Sequence, residues 1–266
     1  MHKILLSDLS IVLVEPSDTQ RKIIIGLLDQ ENVKNVFAVT NVNEAISTLD
    51  KDNADLVLSA LYLEDGTALE ILLKMKNTPA CADIPFMLVT SENRPGKLEE
   101  FKQAGVAAIL PKPFSTENLT RALKASLDLI NSEDMDLERF DVKEVRVLLV
   151  DDSTLARNHI RRVLEGLGIA RIIEAQNGVV ALTMLKENTF DLVVTDYNMP
   201  EMDGRELSEF IRFNRATAHL PIIMVTSEAA DSLQMANIHQ TGVNALCDKP
   251  FDVAQLRLLL KSLLEA

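Results

Sequence analysis

Residues 190–196 read FDLVVTD, and residues 54–60 read ADLVLSA at an offset of 136 residues. Two longer segments repeat as well, with at most one extra residue in the offset: LPIIMVTSE (220–228) matches IPFMLVTSE (84–92), and GVNALCDKPF (242–251) matches GVAAILPKPF (105–114). Solenoid repeats are a few tens of residues long, whereas a period near 136 residues is the size of a domain. The sequence therefore predicts that a whole domain is duplicated.

The second copy alternates short apolar runs with stretches of helical spacing. VRVLLV (145–150) and FDLVVT (190–195) are apolar and rich in β-branched residues, which is typical of strands buried on both faces. The pattern predicts helices after the strands, the first beginning at Ser153, another at about Gly204 and a further one near 231–241. Five such units in about 120 residues predict an α/β domain, in which helices cover both faces of a parallel sheet.

The two copies set the predicted domain boundaries at 1–131 and 145–266. Between them, SEDMDLERFDVKE at 132–144 holds six acids and two bases, with few residues suited to a core. Such a segment is either a solvated acidic linker or a charged extension of the preceding helix. The chain stops at Ala266, directly after the last predicted helix, so we expect no DNA-binding or enzymatic output domain.

Composition restricts the kinds of partner. The 266 residues carry a formal net charge of −13, which argues against nucleic-acid binding and favours cations or basic protein surfaces. No apolar run reaches the ~18 residues that a membrane-spanning helix needs, and the N-terminus lacks a signal-peptide pattern. Cys81 and Cys247 are too few for a disulfide framework. We therefore expect a cytoplasmic protein without membrane insertion.

Polar side chains follow four strands of the second copy, at the point where each strand ends: Asp151 with Asp152, then Asp196, Thr226 and Lys249. In an open parallel sheet these ends meet at one edge. Each residue alone has an ordinary explanation, such as a helix cap or a turn, but the set favours a site. Three carboxylates this close require a cation, and Mg²⁺ prefers oxygen ligands. Because an aspartate can form an acyl phosphate whose oxygens a hydroxyl and an ammonium hold, the set predicts phosphoryl transfer to a carboxylate.

Four segments carry a resemblance to a known family. VRVLLVDDSTLAR (145–157), DLVVTDYNMPEMDG (191–204), PIIMVTSEA (221–229) and DKPF (248–251) resemble the signature segments of response-regulator receiver domains, particularly the chemotaxis type. The resemblance implies a flavodoxin-like (βα)₅ fold, with strand order 2-1-3-4-5, in each of two tandem domains. It also implies two-component signalling, in which a histidine kinase is the phosphodonor. We expect the output to be a protein–protein interaction, with a motor, kinase, phosphatase or other partner, or with the first half of the chain acting in cis or through a homodimer. Such a protein catalyses only its own phosphorylation and hydrolysis and is not otherwise an enzyme.

The resemblance assigns a role to each residue of the predicted site. Asp196 is the phosphorylated residue, Thr226 the switch hydroxyl and Lys249 the phosphate-contacting lysine, followed by a cis peptide to Pro250. The implied ligands of Mg²⁺ or Mn²⁺ are Asp151, Asp152, Asp196 and the backbone carbonyl of Asn198. One departure concerns output: receivers usually carry an aromatic residue at the position of Leu246, so aromatic coupling from Thr226 to the output face is not expected in its usual form.

The first half keeps the scaffold of this site and lacks its acids. Glu15-Pro16 stands at the positions of the two metal-binding aspartates, and Ala60 stands at the position of the acceptor. Thr90 and Lys112 remain, and we interpret them as structural remnants. The acceptor loop is predicted to be two residues shorter than in the second half. The first half is thus predicted to be a degenerate pseudo-receiver, kept for its surfaces, although Glu64 or Asp65 could in principle substitute as acceptor.

Two other functions compete with phosphoryl acceptance. A phosphorylation-independent adaptor would use both receiver folds as docking surfaces, but it does not explain the intact acids of the second half. A phosphatase of the haloacid-dehalogenase kind needs a second acid two residues after the nucleophile, where this chain has Asn198. The remaining feature, a basic cluster of Arg157, Arg161 and Arg162 around His159, is interpreted as a solvated or partner-facing helix surface.

Overall fold

Strands and helices alternate along the described chain. The computed structural model describes residues 4–51, 53–131, 141–226, 242–250 and 253–264, and the chain divides into two units, Met1–Asn131 and Ser132–Ala266. Most of the predicted linker (132–140) and the helix predicted near 231–241 lie outside the described residues. The described end of the linker contains a 3-10 turn at Val142–Glu144.

In the first unit a helix follows each strand. The elements are β1 (Ser10–Val14), α1 (Asp18–Gln30), β2 (Asn35–Val39), α2 (Val42–Leu49), β3 (Leu56–Ala60), α3 (Ala68–Lys76), β4 (Phe86–Thr90), α4 (Pro95–Gln103), β5 (Ala108–Pro111) and α5 (Thr116–Ile130). The five strands are parallel and lie in the order β2-β1-β3-β4-β5.

The second unit repeats this plan. Its described elements are β6 (Arg146–Val150), α6 (Thr154–Gly166), β7 (Arg171–Ala175), α7 (Gly178–Glu187), β8 (Leu192–Asp196), α8 (Gly204–Phe213), β9 (Ile222–Thr226), β10 (Ala245–Asp248) and α9 (Val253–Leu264). The parallel sheet has the order β10-β9-β8-β6-β7, which is the same topology. The fold class is confirmed: two flavodoxin-like, doubly wound α/β domains in tandem.

Burial explains why the apolar runs form strands. The inner strands β3, β4, β8 and β9 are buried at every residue, whereas the edge strands β2 and β7 carry exposed positions. An inner strand of a parallel sheet is covered by helices on both faces, so it needs apolar residues throughout. Among the described residues, no helix is long and apolar enough to cross a bilayer.

Capping residues fix the point at which each helix leaves the sheet edge. The side chain of Ser153 accepts from the N–H of Ala156 at the start of α6, and Ser17 accepts from Gln20 at the start of α1. Asp203 forms a capping box with Glu206 at the start of α8. Each cap satisfies N–H groups that the first helical turn cannot bond internally. The residues between strand and cap therefore have defined positions at the edge of the sheet.

The acceptor loops of the two units have the same length, contrary to our prediction. Helix α3 begins at Ala68, eight residues after Ala60, and α8 begins at Gly204, eight residues after Asp196. The prediction was wrong because it aligned the two loops on a glycine, Gly66, that does not start the helix. Thr67 is the N-cap residue of α3, where its N–H donates to Glu70 Oε1, and Asp203 is the N-cap residue of α8.

Candidate functional site

Three strand ends of the second unit bring Asp151, Asp196 and Lys249 together. Asp196 is the last residue of β8, while Asp151 and Lys249 directly follow β6 and β10. The Lys249 Nζ donates to Asp151 Oδ2 at 2.9 Å and to Asp196 Oδ1 at 2.8 Å. Its side chain is 1% exposed, and those of the two aspartates are 0% and 3% exposed. One buried ammonium thus bridges two buried carboxylates.

The other carboxylate oxygens bond to backbone N–H groups. Asp151 Oδ1 accepts from the N–H of Ser153 at 2.8 Å, and Asp196 Oδ2 accepts from the N–H of Asn198 at 3.1 Å. The backbone of Lys249 is held as well, because its N–H donates to the carbonyl O of Thr226 at 2.8 Å. The Lys249–Pro250 peptide is cis, as predicted, and so is Lys112–Pro113 in the first unit.

Burial and charge shift the pKa of all three groups. Burial raises the pKa of Asp196 to about 6, with Lys249 opposing the rise and the Asp151 carboxylate adding to it. Burial also raises the pKa of Asp151, against the attraction of Lys249. Burial alone would lower the pKa of Lys249, but the carboxylates of Asp196 and Asp151 outweigh it and raise that pKa. With both carboxylates ionised, the buried group holds two negative charges and one positive charge.

The other predicted site residues flank this group. Asp152 is exposed beside Asp151, and the side chain of Asn198 is exposed beside Asp196. Thr226 is the last residue of β9 and is buried. Strand β9 lies between β8 and β10, so Thr226 is at the same edge of the sheet as Asp196 and Lys249.

The donor set fits a divalent cation in charge and chemistry. The bridged group has a net charge of −1, and the exposed Asp152 next to it brings the local charge to −2. Carboxylate oxygens are the ligands that Mg²⁺ and Mn²⁺ prefer. Within the described parts of the chain, no three His, Cys, Asp or Glu side chains are already arranged around one point as metal ligands. The ammonium of Lys249 lies between two of the acids, and the third points into solvent.

The sequence predicted a solvated or partner-facing helix surface around Arg157, but Arg157 has partners within its own domain. Its guanidinium donates to the carbonyl O of Asp151 at 2.6 Å and to Glu174 Oε2 at 3.2 Å. Arg161 also pairs with Glu174, at 2.6 Å, and His159 is buried. The basic cluster is therefore not simply a solvated helix face, because Glu174 on β7 neutralises part of it. The sequence signal that could have revealed this pairing was Glu174 itself, an acidic residue within β7, the strand that follows α6.

The corresponding site in the first unit contains one acid and one base. Lys112 Nζ donates to Glu15 Oε2 at 2.8 Å, and Glu15 Oε1 accepts from the N–H of Ser17 at 3.0 Å. The Glu15 side chain is 4% exposed and that of Lys112 is 23% exposed. Ala60, at the position of the predicted acceptor, is buried. This pair is neutral without any cation, in contrast to the group around Lys249.

Asp65 has a structural partner in the first unit. Its two carboxylate oxygens accept from the N–H groups of Val42 and Asn43 at 2.7 and 3.1 Å, at the first turn of α2. Hydrogen bonding to those N–H groups lowers the pKa of Asp65. Asp65 thus caps the positive end of a helix, which does not support its use as a substitute acceptor.

The chain is similar to known proteins along both of its halves. The model of the response regulator receiver domain matches residues 11–124 and 147–261. The chain is 41% identical over 123 residues to the chemotaxis protein CheY-3 of Vibrio cholerae, an alignment that covers 46% of this chain and 94% of that protein. It is 38% identical over 121 residues to the chemotaxis protein CheY of Pseudomonas aeruginosa, covering 46% and 97%. The solved structure of the chemotaxis response regulator CheY4 of Vibrio cholerae is 29% identical, with 45% and 98% coverage and a TM-score of 0.41.

The family model covers both units, and each match spans a five-stranded sheet in the order described above. The two halves that the sequence repeat predicted are therefore two copies of one domain. The chain belongs to the response regulator receiver domain family and is a tandem receiver protein of two-component systems.

Proposed function

We propose that Asp196 accepts a phosphoryl group from the phosphohistidine of a histidine kinase, in a step that depends on Mg²⁺ or Mn²⁺. The phosphorylated chain then signals through protein–protein contacts. The observation that carries this proposal is the bridge from Lys249 to two buried carboxylates, Asp151 and Asp196, at 2.9 and 2.8 Å. A group with excess negative charge at the edge of a sheet is the arrangement that binds a divalent cation together with a phosphoryl group.

The chain's own residues would act as follows. A carboxylate oxygen of Asp196 attacks phosphorus, the P–N bond to the kinase imidazole breaks, and the imidazole leaves with a proton from solvent. The ammonium of Lys249, already within hydrogen-bond distance of Asp196, moves onto a phosphoryl oxygen. The hydroxyl of Thr226 is the second candidate donor, because Thr226 ends the strand between β8 and β10.

Asp151, Asp152, Asp196 and the backbone carbonyl of Asn198 are the proposed ligands of the cation. When bound, the cation neutralises charge on the phosphoryl oxygens and the acids. The pKa of about 6 for Asp196 supports this use, since the carboxylate is ionised at neutral pH and still poorly compensated by Lys249 alone. Arg157 supports the set by holding the carbonyl of Asp151.

The first unit (1–131) is proposed to be a pseudo-receiver that works without phosphorylation. Its supporting observation is the neutral pair of Glu15 and Lys112, which needs no cation, beside an alanine at position 60. We propose a docking role for the first unit, which is the adaptor alternative applied to one half of the chain. We propose 132–144 as the acidic connection to the receiver at 145–266, a homodimer as one form of the assembled protein, and a cytoplasmic location.

The direct test is phosphorylation of the intact protein. Incubation with Mg²⁺ and acetyl phosphate, or with a cognate kinase, is expected to add one phosphoryl group per chain, measured by intact mass. Asp196→Asn should abolish the addition, and omission of Mg²⁺ should do the same. The matched control is Asp65→Asn in the first unit, which should leave the addition unchanged. Phosphorylation that persists in Asp196→Asn, or none in the wild type, would refute the proposal.

A further inference from the structure

Tyr197 links the acceptor aspartate to the neighbouring strands. It follows Asp196 directly, and its N–H donates to the carbonyl O of Val225 on β9 at 3.0 Å. The residue after it, Asn198, donates its N–H to Asp196 Oδ2 at 3.1 Å. The backbone of Tyr197 is thus enclosed by a turn that the Asp196 carboxylate itself closes. A change in the charge or bonding of that carboxylate therefore alters the turn that positions Tyr197.

The side chain of Tyr197 extends this link across the sheet. Tyr197, Val243 and Leu246 all pack against Met224, a fully buried residue of β9. Met224 pairs in register with Leu246 of β10 and with Thr195 of β8. Because side chains alternate between the faces of a strand, Tyr197, two residues after Thr195, lies on the same face as Met224 and Leu246. Three adjacent strands therefore meet through Met224.

The first unit has no comparable aromatic residue. The positions that correspond to Tyr197, Met224 and Leu246 hold Leu61, Leu88 and Ile109. The thioether of methionine adapts to changes in packing more readily than a branched aliphatic group does, and it makes favourable contacts with aromatic rings. The ring and the thioether thus occur in the unit that has the acids, and branched aliphatic residues occur in the unit that lacks them.

We propose that Tyr197 transmits phosphorylation of Asp196, through Met224 of the buried strand β9, to Leu246 on the edge strand β10. The inference rests on the proposed function. A phosphoryl group adds charge and volume at Asp196 and engages Lys249, so the turn closed by the Asn198 N–H must adjust. Tyr197 then changes its packing on Met224, and Met224 passes that change to Leu246. Tyr197 is a positioning residue in this scheme, and it supplies the aromatic ring that is missing at position 246.

The methyl group of Met224 reports on this link. The full chain is labelled with ¹³C at its methionine methyl groups, and the Met224 resonance is assigned by its absence in Met224→Leu. Beryllofluoride with Mg²⁺ serves as the phosphoryl mimic. The wild type is expected to show a shift of the Met224 resonance on adding the mimic. Tyr197→Leu, which installs the residue of the first unit, should reduce that shift by about half or more while beryllofluoride affinity stays within about threefold.

Three further variants test whether the ring carries the coupling. Tyr197→Phe keeps the ring and should keep the shift; its loss there would point to the hydroxyl and overturn the proposal. Phe213→Leu makes a similar change at a residue of α8 that is 87% exposed, and it should leave the shift unchanged. Tyr197→Ile also removes the ring and installs a branched aliphatic group, and it replaces Tyr197→Leu if the leucine variant does not fold.

The outcomes separate this inference from the proposed function. An unchanged Met224 shift in Tyr197→Leu, or no shift in a wild type that binds beryllofluoride, overturns the inference and leaves the proposed function intact. A wild type that shows no Asp196-dependent binding of beryllofluoride overturns both.

Discussion

Lys249 and Lys112 occupy corresponding positions, but they balance different numbers of carboxylates. Lys249 bridges Asp151 and Asp196, whereas Lys112 pairs with Glu15 alone. Removing one partner of a buried charge network leaves uncompensated charge, at a cost of about 3–5 kcal/mol. The charge that remains is twice as large around Lys249, and the side chain of Lys249 is also the more deeply buried of the two lysines.

We therefore expect Lys249→Met to destabilise the second unit by about 3–5 kcal/mol without Mg²⁺. Saturating Mg²⁺ should restore much of this loss, because a cation replaces the missing positive charge. The single pair of the first unit, in which Lys112 is partly exposed, should lose less, about 1–3 kcal/mol in Lys112→Met, and Mg²⁺ should not restore it. Urea unfolding with and without Mg²⁺ measures both effects. Equal stability of Lys249→Met and wild type in EDTA would contradict the charge balance described here.

The raised pKa of Asp196 makes stability depend on pH. Its pKa is about 6 in the folded protein and near the ordinary value of 3.8 in the unfolded chain, so the folded state binds more protons between these values. The stabilisation is fully present below about pH 4 and is lost as pH rises through about 6. The metal-free protein should lose roughly 3 kcal/mol across this window.

The measurement is urea unfolding in EDTA at several pH values between 4 and 7, followed by tyrosine fluorescence in a Tyr62→Phe background. The chain has two tyrosines and no tryptophan, so the emission then comes from Tyr197 in the second unit. Asp196→Asn should remove most of the slope, and Asp151, whose pKa is also raised, contributes to the slope that remains. A free energy of unfolding that rises with pH between 4 and 7 would contradict this prediction.

At the scale of secondary-structure elements, Gly204 controls how closely α8 approaches the end of β8. A Cβ atom at Gly204 would lie well inside van der Waals contact with the carbonyl O of Asp196. The first unit carries Ala68 at this position, next to Ala60, so the fold accepts the methyl group if the strand end moves. Gly204 therefore matters more for the position of Asp196 than for the stability of α8.

Gly204→Ala is expected to slow phosphorylation from acetyl phosphate by about tenfold or more, since small displacements of a reacting group have large effects on rate. The matched control is Gly26→Ala on α1, where a Cβ atom meets nothing within 4 Å. That change should stabilise the first unit by up to about 1 kcal/mol and leave the rate unchanged. A wild-type rate in folded Gly204→Ala would show that the close approach is not needed.

The sequence predicts these elements well and their side-chain partners poorly. Continuous apolar runs such as residues 145–150 and 190–195 became inner strands, and Ser153 became a helix cap, because burial and capping are local properties of the chain. The pairing of Glu15 with Lys112, 97 residues apart, depends on strand order and was not foreseen. The length of the first acceptor loop was mistaken, since a glycine was assumed to mark the helix start, whose N-cap residue is in fact Thr67.

At the scale of the whole molecule, two copies of one scaffold carry different charge balances. The site in the second unit has a net charge of −2 when Asp152 is included, and the Glu15–Lys112 pair in the first unit is neutral. A divalent cation gains electrostatic energy only where acids exceed bases. We therefore expect one Mg²⁺ per chain, measured by calorimetric titration, and none in Asp196→Ala within the same concentration range.

Restoring the acceptor in the first unit should not create a second site. Ala60→Asp adds a carboxylate near Glu15 and Lys112, but Pro16 stands where the second unit has Asp152 and offers no side-chain oxygen. The added buried acid should destabilise the first unit by about 1–3 kcal/mol, and the stoichiometry should stay at one Mg²⁺ per chain. The double change Ala60→Asp with Pro16→Asp reproduces the acids of the second unit and is the variant expected to bind a second Mg²⁺. A second Mg²⁺ bound by Ala60→Asp alone would mean that the acceptor carboxylate suffices and that no acid is needed at position 16.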